Sequence, residues 1–260
     1  MSETLNSDLA LVLPAYRPPI DRLVEYINAV DARLAPARIH VPLDGVRESD
    51  PQIARLERAG ATVTPTVGRQ GKGTALSRAF DRLATSHDRL LFLDADGSTG
   101  VESAARLAGE VGGTEPSLAI GYREISSQPT EHNRAAHRHL FSGVYRRLAR
   151  EFLGIDARDP QCGAKAMDAS VWWQIRPTLR NGGFGWDTEL LAIAASAGIP
   201  VSEHPVKWVD QPGTTVGITD PMRMLRQLVA ARRRASDTPT RQTAPNRTLR
   251  REYLRNTERD

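Results

Sequence analysis

Short apolar runs alternate with stretches of helical periodicity along the first half of the chain. Apolar runs of this length predict buried strands, and apolar residues that recur every three to four positions predict helices. Such alternation is typical of a mainly parallel sheet with helices on both faces, so the sequence predicts an α/β fold. The predicted strands are Leu9–Leu13, Ile39–Leu43, Thr62–Val67, Leu90–Leu93 and Leu118–Tyr122, and the predicted helices are Pro19–Leu34, Pro51–Ala59 and Thr74–Ala84.

Polar side chains follow two of these strands. Asp44 ends the second strand, Asp94 and Asp96 follow the fourth, and Lys72 precedes the helix between them. In open α/β sheets the ligand lies beyond the carboxyl ends of the strands. We therefore expect these side chains to converge on one site.

The segment Asp94-Ala95-Asp96 can bind a divalent cation. Two carboxylates one residue apart can both offer oxygen to Mg²⁺ or Mn²⁺ and leave positions for water and phosphate oxygens. The bare pattern also fits a loop in which Ser98 or Thr99 caps the next helix. Its place after the buried run Leu90–Leu93 favours the metal interpretation.

The glycine-rich segment Gly68–Thr74 predicts a flexible loop that opens a helix. Its backbone N–H groups and the Lys72 charge would favour an anion. It lacks the P-loop pattern, because Gly73 follows the lysine, and no dinucleotide-binding fingerprint follows the first strand. A simple tight turn explains the glycines equally well.

An amphipathic stretch begins near His132, with arginines on its polar faces. Such a helix packs its apolar stripe on the core, or it lies near a lipid surface or an anionic acceptor. Trp172 and Trp173 are expected to pack a helix. The apolar stripe consists of Leu140, Val144, Leu148 and Phe152.

With 260 residues and 40% hydrophobic residues, the chain can form one large globular domain. No run approaches the ~20 apolar residues of a spanning helix. A single cysteine, Cys162, excludes an internal disulfide framework. These features lead us to expect a cytoplasmic protein.

The basic residues are concentrated at the carboxyl end. Between Pro221 and Asp260 stand eleven Arg against four Asp and Glu, although the net charge of the whole chain is only +4. From Asp237 onward the chain has no apolar periodicity, so we predict a domain over residues 1–236 and a disordered tail over 237–260. The tail can contact an anionic membrane surface or be a solvated end; nothing else favours nucleic acid as a partner.

The order of the motifs resembles that of the family 2 inverting glycosyltransferases of the GT-A fold. The second half of the chain is similar to the polyprenyl-phosphate branch, which includes the dolichyl-phosphate glucose and mannose synthases. The resemblance spans roughly Leu9 to Arg232. The motifs that carry it are Leu11–Tyr16, Asp44-Gly45, Gly71–Ala75, Phe92–Ser98, Gly121–Arg123, Asp159–Lys165, Phe184–Leu191 and Glu203–Trp208.

This resemblance implies a donor site for a nucleotide sugar, UDP-glucose or GDP-mannose. Asp94 would bind the donor, and Asp96 would ligate Mg²⁺ or Mn²⁺ directly, with Asp94 beside it. The other implied members of the nucleotide site are Pro14, Tyr16, Asp44 and Lys72.

The resemblance also implies a polyprenyl or dolichyl phosphate acceptor and a peripheral contact with the membrane. Gln161, near Asp159, would lie by the sugar and the acceptor phosphate. Asp159, Asp187 and Glu189 are candidate bases or orienting groups, although Asp187 and Glu189 could instead favour the first turn of a helix through its dipole. The candidates to bind the acceptor phosphate through guanidinium groups are Arg123, Arg134 and Arg138.

Two positions depart from the family pattern. The family usually has Asn-Glu after the Tyr, where this chain has Arg17-Pro18, and a paired Asp where it has Leu43-Asp44. Because two expected nucleotide contacts are missing, the identity of the base, uridine or guanosine, stays open.

The mechanism implied is in-line attack by a phosphate oxygen on the anomeric carbon, with inversion. A soluble glycosyltransferase with a small phosphorylated or hydroxyl acceptor is a second hypothesis, because no spanning helix requires a lipid. A non-catalytic protein that binds sugar nucleotides or membranes is a third, suggested by the altered nucleotide motifs.

Overall fold

The computed structural model describes residues 8–124, 157–183, 185–209 and 233. The described strands are β1 (Leu9–Val12), β2 (Ala15–Tyr16), β3 (Arg38–Asp44), β4 (Ala61–Thr66), β5 (Arg89–Leu93), β6 (Leu118–Glu124), β7 (Ala164–Asp168) and β8 (Val201–Lys207). The described helices are α1 (Ile20–Leu34), α2 (Pro51–Arg58), α3 (Lys72–Leu83), α4 (Val101–Gly109), α5 (Ala169–Ile175) and α6 (Trp186–Ser196).

All eight described strands form one mainly parallel sheet. Strand β1 lies at its centre, parallel to β3 on one side and to β5 on the other. Strands β2 and β4 also pair with β3 in parallel. Strand β7 is antiparallel to both β5 and β6, and β8 is parallel to β6. The predicted mixed α/β fold with a mainly parallel sheet is confirmed.

Each face of the sheet carries its own hydrophobic core. Because side chains alternate along a strand, Ala10 and Val12 point into the core beneath α3, α5 and α6. Leu9 and Leu11 belong to the other core, which α1, α2 and α4 cover. Apolar burial on both faces explains why the strand segments are uninterrupted apolar runs.

An aromatic cluster lies directly beneath the helices that reach the site. Trp186 at the start of α6 packs edge-on to Phe92 of β5, with ring centroids 5.5 Å apart, and Phe80 of α3 packs edge-on to Trp172 at 5.2 Å. Trp172 and Trp173 are buried in this core, so the prediction that they pack a helix is confirmed.

The main difference from the expected elements is strand β7, which the hydrophobic pattern did not reveal. The alternative that Ser98 or Thr99 caps the next helix is also wrong, because the N-cap of α4 is Gly100 and no side chain caps this helix.

The amphipathic stretch 132–152 and the tail 237–260 lie outside the described residues. Among the described helices, none is long and apolar enough to cross a membrane.

His40 makes the stability of the fold depend on pH. Burial, together with the charges of Arg82 and Arg38, lowers the pKa of His40 from 6.5 to about 4. Between these values the unfolded chain takes up a proton that the folded chain does not, so this group destabilises the fold as pH falls from 6.5 to 4.

We predict that His40→Gln reduces the loss of stability on acidification. Denaturant midpoints of both proteins at pH 7 and pH 4.5 would measure it. The variant should lose less stability than the wild type over this interval; an equal loss would contradict the assignment.

Candidate functional site

Three motifs that are distant in sequence meet at the carboxyl ends of β3 and β5. The Nζ atom of Lys72, the first residue of α3, lies 3.0 Å from Oδ1 of Asp94. The buried Asp44 carboxylate accepts hydrogen bonds from the backbone N–H groups of Gln70 at 2.8 Å and Gly71 at 3.3 Å. Asp44 therefore holds the loop that presents Lys72 to Asp94, and the predicted convergence is present.

Lys72 also belongs to a buried network of alternating charges. Oδ2 of Asp187 lies 3.2 Å from Nζ of Lys72, and Oδ1 of the same carboxylate accepts a 2.8 Å hydrogen bond from Nζ of Lys165. The Lys165 side chain is fully buried and also donates to the carbonyl oxygen of Cys162 at 2.6 Å. Both ammonium groups lie over the Phe92 ring, 4.9 Å and 5.5 Å from its centroid. We call Lys165, Asp187, Lys72 and Asp94 the charge network.

The contact between Lys72 and Asp94 affects the ionisation of both groups. Burial alone would lower the pKa of Lys72, but Asp187 and Asp94 raise it overall, so its ammonium group stays protonated. Burial raises the pKa of Asp94, and the charge of Lys72 opposes that rise. Asp94 thus lies where a nearby cation stabilises its ionised form.

The loop after β5 suits a hard divalent cation. Oδ1 of Asp96 accepts from the backbone N–H of Ser98 at 2.9 Å, which leaves Oδ2 outside this turn. The end of β8 and the segment after it hold this loop, since Val209 N–H donates to the Ser98 carbonyl and Gly100 N–H donates to the carbonyl of Lys207. Two carboxylates are the usual protein share of a Mg²⁺ site that substrate phosphates and water complete. Larger clusters of metal-binding side chains are absent from the described part of the chain.

The glycine-rich loop is less open than expected. Gly71 N–H donates to Asp44, and Thr74 N–H donates to the Gly182 carbonyl at 3.0 Å. A Cβ at Gly73 would come within 2.4 Å of the Asn181 carbonyl oxygen, so only glycine fits beneath this segment. Two of the backbone groups expected to face an anion are therefore used within the protein.

Glu189 holds that segment from the other side. Its buried carboxylate accepts hydrogen bonds from the backbone N–H groups of Asn181 at 2.7 Å and Arg180 at 3.2 Å. Gly185 is the N-cap of α6 without a side-chain cap. Three roles were considered for Asp187 and Glu189: a base, an orienting group, or a negative charge in the first turn of a helix. Both residues do lie in the first turn of α6, and the contacts of Glu189 favour orientation over a base.

Tyr16 lies at the exposed edge of the same end of the sheet. Its ring is 43% exposed, and the guanidinium groups of Arg17 and Arg69 lie 5.5 Å and 4.6 Å from its centroid. Arg17 has φ 44° and its backbone N–H donates to the Asp44 carbonyl. Pro14 is half-buried between β1 and β2. Arg17, where the family usually has Asn, thus adds a positive charge to this edge.

Two candidates for the acceptor side form a single ion pair. Nε and Nη2 of Arg123 lie 2.5 Å and 2.9 Å from the two carboxylate oxygens of Asp159. The guanidinium also lies over the Trp208 ring, 5.2 Å from its centroid. Gln161 is half-buried in the turn after Asp159, whereas Arg134 and Arg138 lie outside the described residues.

Two residues of the site were missed as individual candidates. Lys165 ends the motif Asp159–Lys165, but only the structure shows that it binds Asp187. Tyr26 of α1 donates its hydroxyl to the Thr99 carbonyl at 2.8 Å, and its ring lies 3.6 Å from where a Cβ of Gly97 would be. Nothing in the periodicity of α1 distinguishes Tyr26 from an ordinary core residue.

Sequence relatives of this chain are glycosyltransferases. Glycosyltransferase AglD of Haloferax volcanii is 32% identical over 219 residues, which are 81% of this chain and 34% of AglD. The dolichyl-phosphate beta-glucosyltransferase of Saccharomyces cerevisiae is 26% identical over 175 residues, 63% of this chain and 52% of the yeast protein. The human protein of that name is 25% identical over 228 residues, 80% of this chain and 69% of its own length.

The chain is a relative of the dolichyl-phosphate glucosyltransferases. The family resemblance carried by the motifs is thereby confirmed, although no protein-family model matches the sequence. The chain spans 34% of AglD and 52% of the yeast enzyme, so it corresponds to part of these relatives.

Solved structures agree on the fold. Glucosyl-3-phosphoglycerate synthase from Mycobacterium tuberculosis, in complex with Mn²⁺, UDP and phosphoglyceric acid, superposes with a TM-score of 0.59 at 19% identity. The match covers 88% of this chain and 78% of that one. This likeness assigns the GT-A glycosyltransferase fold.

We predict that Gly163→Ala, at the position just before β7, disrupts the site. A Cβ at Gly163 would come 1.8 Å from Oδ2 of Asp94, so the carboxylate or the strand must move. The free energy of unfolding should fall by more than about 1 kcal/mol. Gly109→Ala is the control, because nothing lies within 4 Å of its Cβ position. Equal denaturation midpoints for the two variants would contradict the close contact.

Proposed function

We propose that the chain is a metal-dependent inverting hexosyltransferase that moves glucose or mannose from a nucleotide sugar to a polyprenyl or dolichyl phosphate. The observation that carries the proposal is the pairing of Lys72 with Asp94, beside Asp96, at the carboxyl end of β5. A cation site next to a fixed lysine suits a nucleotide diphosphate. The dolichyl-phosphate glucosyltransferase relatives support the hexose and the lipid acceptor.

On the donor side, Asp96 and Asp94 are the residues that would hold Mg²⁺ or Mn²⁺. When bound, the ion would neutralise charge that develops on the departing diphosphate. Lys72 adds a second positive charge, held in place by Asp187. The mycobacterial neighbour was solved with Mn²⁺ or Mg²⁺ and UDP, which supports divalent metal use in related enzymes.

The nucleotide itself would lie toward β2 and β3. Tyr16 and Pro14 line that edge, and Asp44 shapes it by holding the loop 70–71. The Asp44 carboxylate is 4% exposed, so its role is to position backbone rather than to contact a base directly. UDP-glucose and GDP-mannose are the donors to compare, since the altered Arg17 position does not decide between them.

On the acceptor side, we place the phosphate near Arg123, Asp159 and Gln161, with Arg134 and Arg138 as further ligands. A phosphate monoester with a second pKa near ~6 is largely dianionic at neutral pH and attacks without a strong base. Asp159 then orients Arg123 through the bidentate pair, and Asp187 and Glu189 orient Lys72 and the segment 180–181.

A lipid acceptor requires contact with a membrane surface. We propose that residues 1–236 form the transferase domain and that it acts peripherally on the cytoplasmic face. The Arg-rich tail 237–260 would add attraction to anionic lipids.

We predict transfer of labelled sugar to a polyprenyl phosphate in the presence of Mn²⁺ from one of the two donors. Asp96→Asn should lower kcat by at least about 100-fold, because it removes a metal ligand that acts in the transition state. Asp31→Asn, at an exposed position of α1, is the control and should leave kcat unchanged. Scintillation counting of the lipid extract measures the product.

The same assay separates the competing functions. A labelled product that stays in the aqueous phase with 3-phosphoglycerate, and no lipid product, would favour a soluble enzyme with a small acceptor. Donor binding without any product would favour a non-catalytic protein. Either result would contradict transfer to a lipid phosphate.

We also predict that Arg123→Gln raises KM for the acceptor while KM for the donor changes little. The guanidinium matches phosphate geometry, and its loss also frees Asp159, whose charge would repel an anion. Arg58→Gln, an exposed arginine at the end of α2, is the control. Steady-state kinetics with each substrate varied in turn would measure the two KM values. An increase in the donor KM alone would place Arg123 on the donor side.

A further inference from the structure

Lys72 occupies a carboxylate that a metal ion would need. Its Nζ atom lies 3.0 Å from Oδ1 of Asp94, one of the two proposed ligands. An ammonium group and a divalent cation compete for the same carboxylate, because each neutralises its charge. The contact between Lys72 and Asp94 must therefore weaken or break when a metal ion binds Asp94.

We propose that Lys72 is an exchangeable counter-ion, which neutralises Asp94 before metal binds and releases it when metal and nucleotide arrive. The inference rests on the proposed metal-dependent function. Its first consequence is that Lys72 weakens the binding of a metal ion when no nucleotide is present.

Asp187 makes such an exchange possible. Lys72 contacts Asp94 through one interaction and Asp187 through another, at 3.0 Å and 3.2 Å. When Asp94 binds a metal ion instead of Lys72, the Lys72 ammonium group keeps its contact with Asp187. It therefore does not become an isolated buried charge, which would destabilise the fold. Its side chain is already 14% exposed, so a ligand can reach it.

Lys165 keeps Asp187 in place during the exchange. Its side chain has no exposure, and it bonds both Asp187 and the Cys162 carbonyl, at 2.8 Å and 2.6 Å. A fully buried ammonium group carries a large desolvation cost unless it is paired in this way. Because Lys165 neutralises Asp187 independently, Lys72 is free to divide its interactions between Asp94 and a ligand.

The balance of formal charge gives the direction of the effect. The two lysines of the charge network cancel Asp94 and Asp187, which leaves Asp96 as a single excess negative charge. A divalent cation turns this into an excess positive charge, which a nucleotide diphosphate then offsets. Metal and nucleotide should therefore bind cooperatively. Removal of the Lys72 charge should strengthen the binding of metal in the absence of nucleotide and reduce this cooperativity.

The alternative is that Lys72 only fastens α3 to β5. In that case its replacement lowers stability and leaves the affinity for metal unchanged or weaker. The two accounts predict different outcomes for the same variant.

The test uses Mn²⁺ as the probe, without sugar or lipid, and measures free Mn²⁺ by electron paramagnetic resonance. Lys72→Gln should bind Mn²⁺ several-fold more tightly than the wild type. Arg82→Gln removes one charge from the far end of the same helix, where Arg82 Nη1 donates to Thr64 Oγ1 at 3.3 Å, and should match the wild type. Equal or weaker binding by Lys72→Gln, or no binding by either protein, would overturn the proposal.

Two further variants separate charge from packing. Lys72→Arg retains the charge and should keep the weak binding of the wild type, whereas Lys72→Met retains the apolar contact with Phe92 and should bind tightly. Tight binding by Lys72→Arg would overturn the proposal. Thermal melts show that each variant is folded before titration.

Addition of UDP completes the experiment. In the wild type UDP should increase Mn²⁺ affinity, and this increase should be smaller in Lys72→Gln; an equal increase would overturn the proposal. Because no glycosyl transfer is measured, a failure to find the acceptor would leave this result intact.

Discussion

Asp187 binds two lysine side chains in the interior of the protein, and the geometry of the candidate site depends on this interaction. Lys72 begins α3, Lys165 lies in β7, and Asp187 lies in the first turn of α6. The cost of burying three charges is offset only while they remain in contact. The network thus fixes the relative positions of three elements, and through Lys72 it reaches Asp94.

Close backbone contacts complement these ion pairs. Gly163 lies against the Asp94 carboxylate, and Gly73 lies against the carbonyl of Asn181, so neither position has room for a side chain. Glu189 holds residues 180 and 181 by their N–H groups. Because the backbone is already fixed, the charged side chains that it carries lose little conformational entropy when a ligand binds. This favours binding of a diphosphate in one orientation.

Much of the fold could be predicted because its strands are buried on both faces and therefore read as apolar runs. Strand β7 could not, since the fully buried Lys165 interrupts its apolar pattern. Strand β8 is mostly partly exposed, with Ser202 and Glu203 among its polar positions, and gives a weak signal for the same reason.

The motif order also predicted that Asp44, Lys72 and Asp94 would meet. It could not predict which charges pair, because pairing depends on distances between elements far apart in sequence. The sequence left three roles open for Asp187: a base, an orienting group, or a negative charge in the first turn of a helix. Only its contacts with Lys72 and Lys165 favour orientation. Asp159 and Arg123 were assigned separately, and the structure joins them in one ion pair.

The most direct test of a metal-assisted donor site is anomalous diffraction from a crystal grown with Mn²⁺ and UDP. The account predicts a manganese peak about 2.2 Å from a carboxylate oxygen of Asp96, with the diphosphate as a further ligand. It also predicts that Nζ of Lys72 faces the diphosphate while it keeps its contact with Asp187. A nucleotide bound away from the end of β5, or a metal ion without Asp96 as ligand, would contradict it.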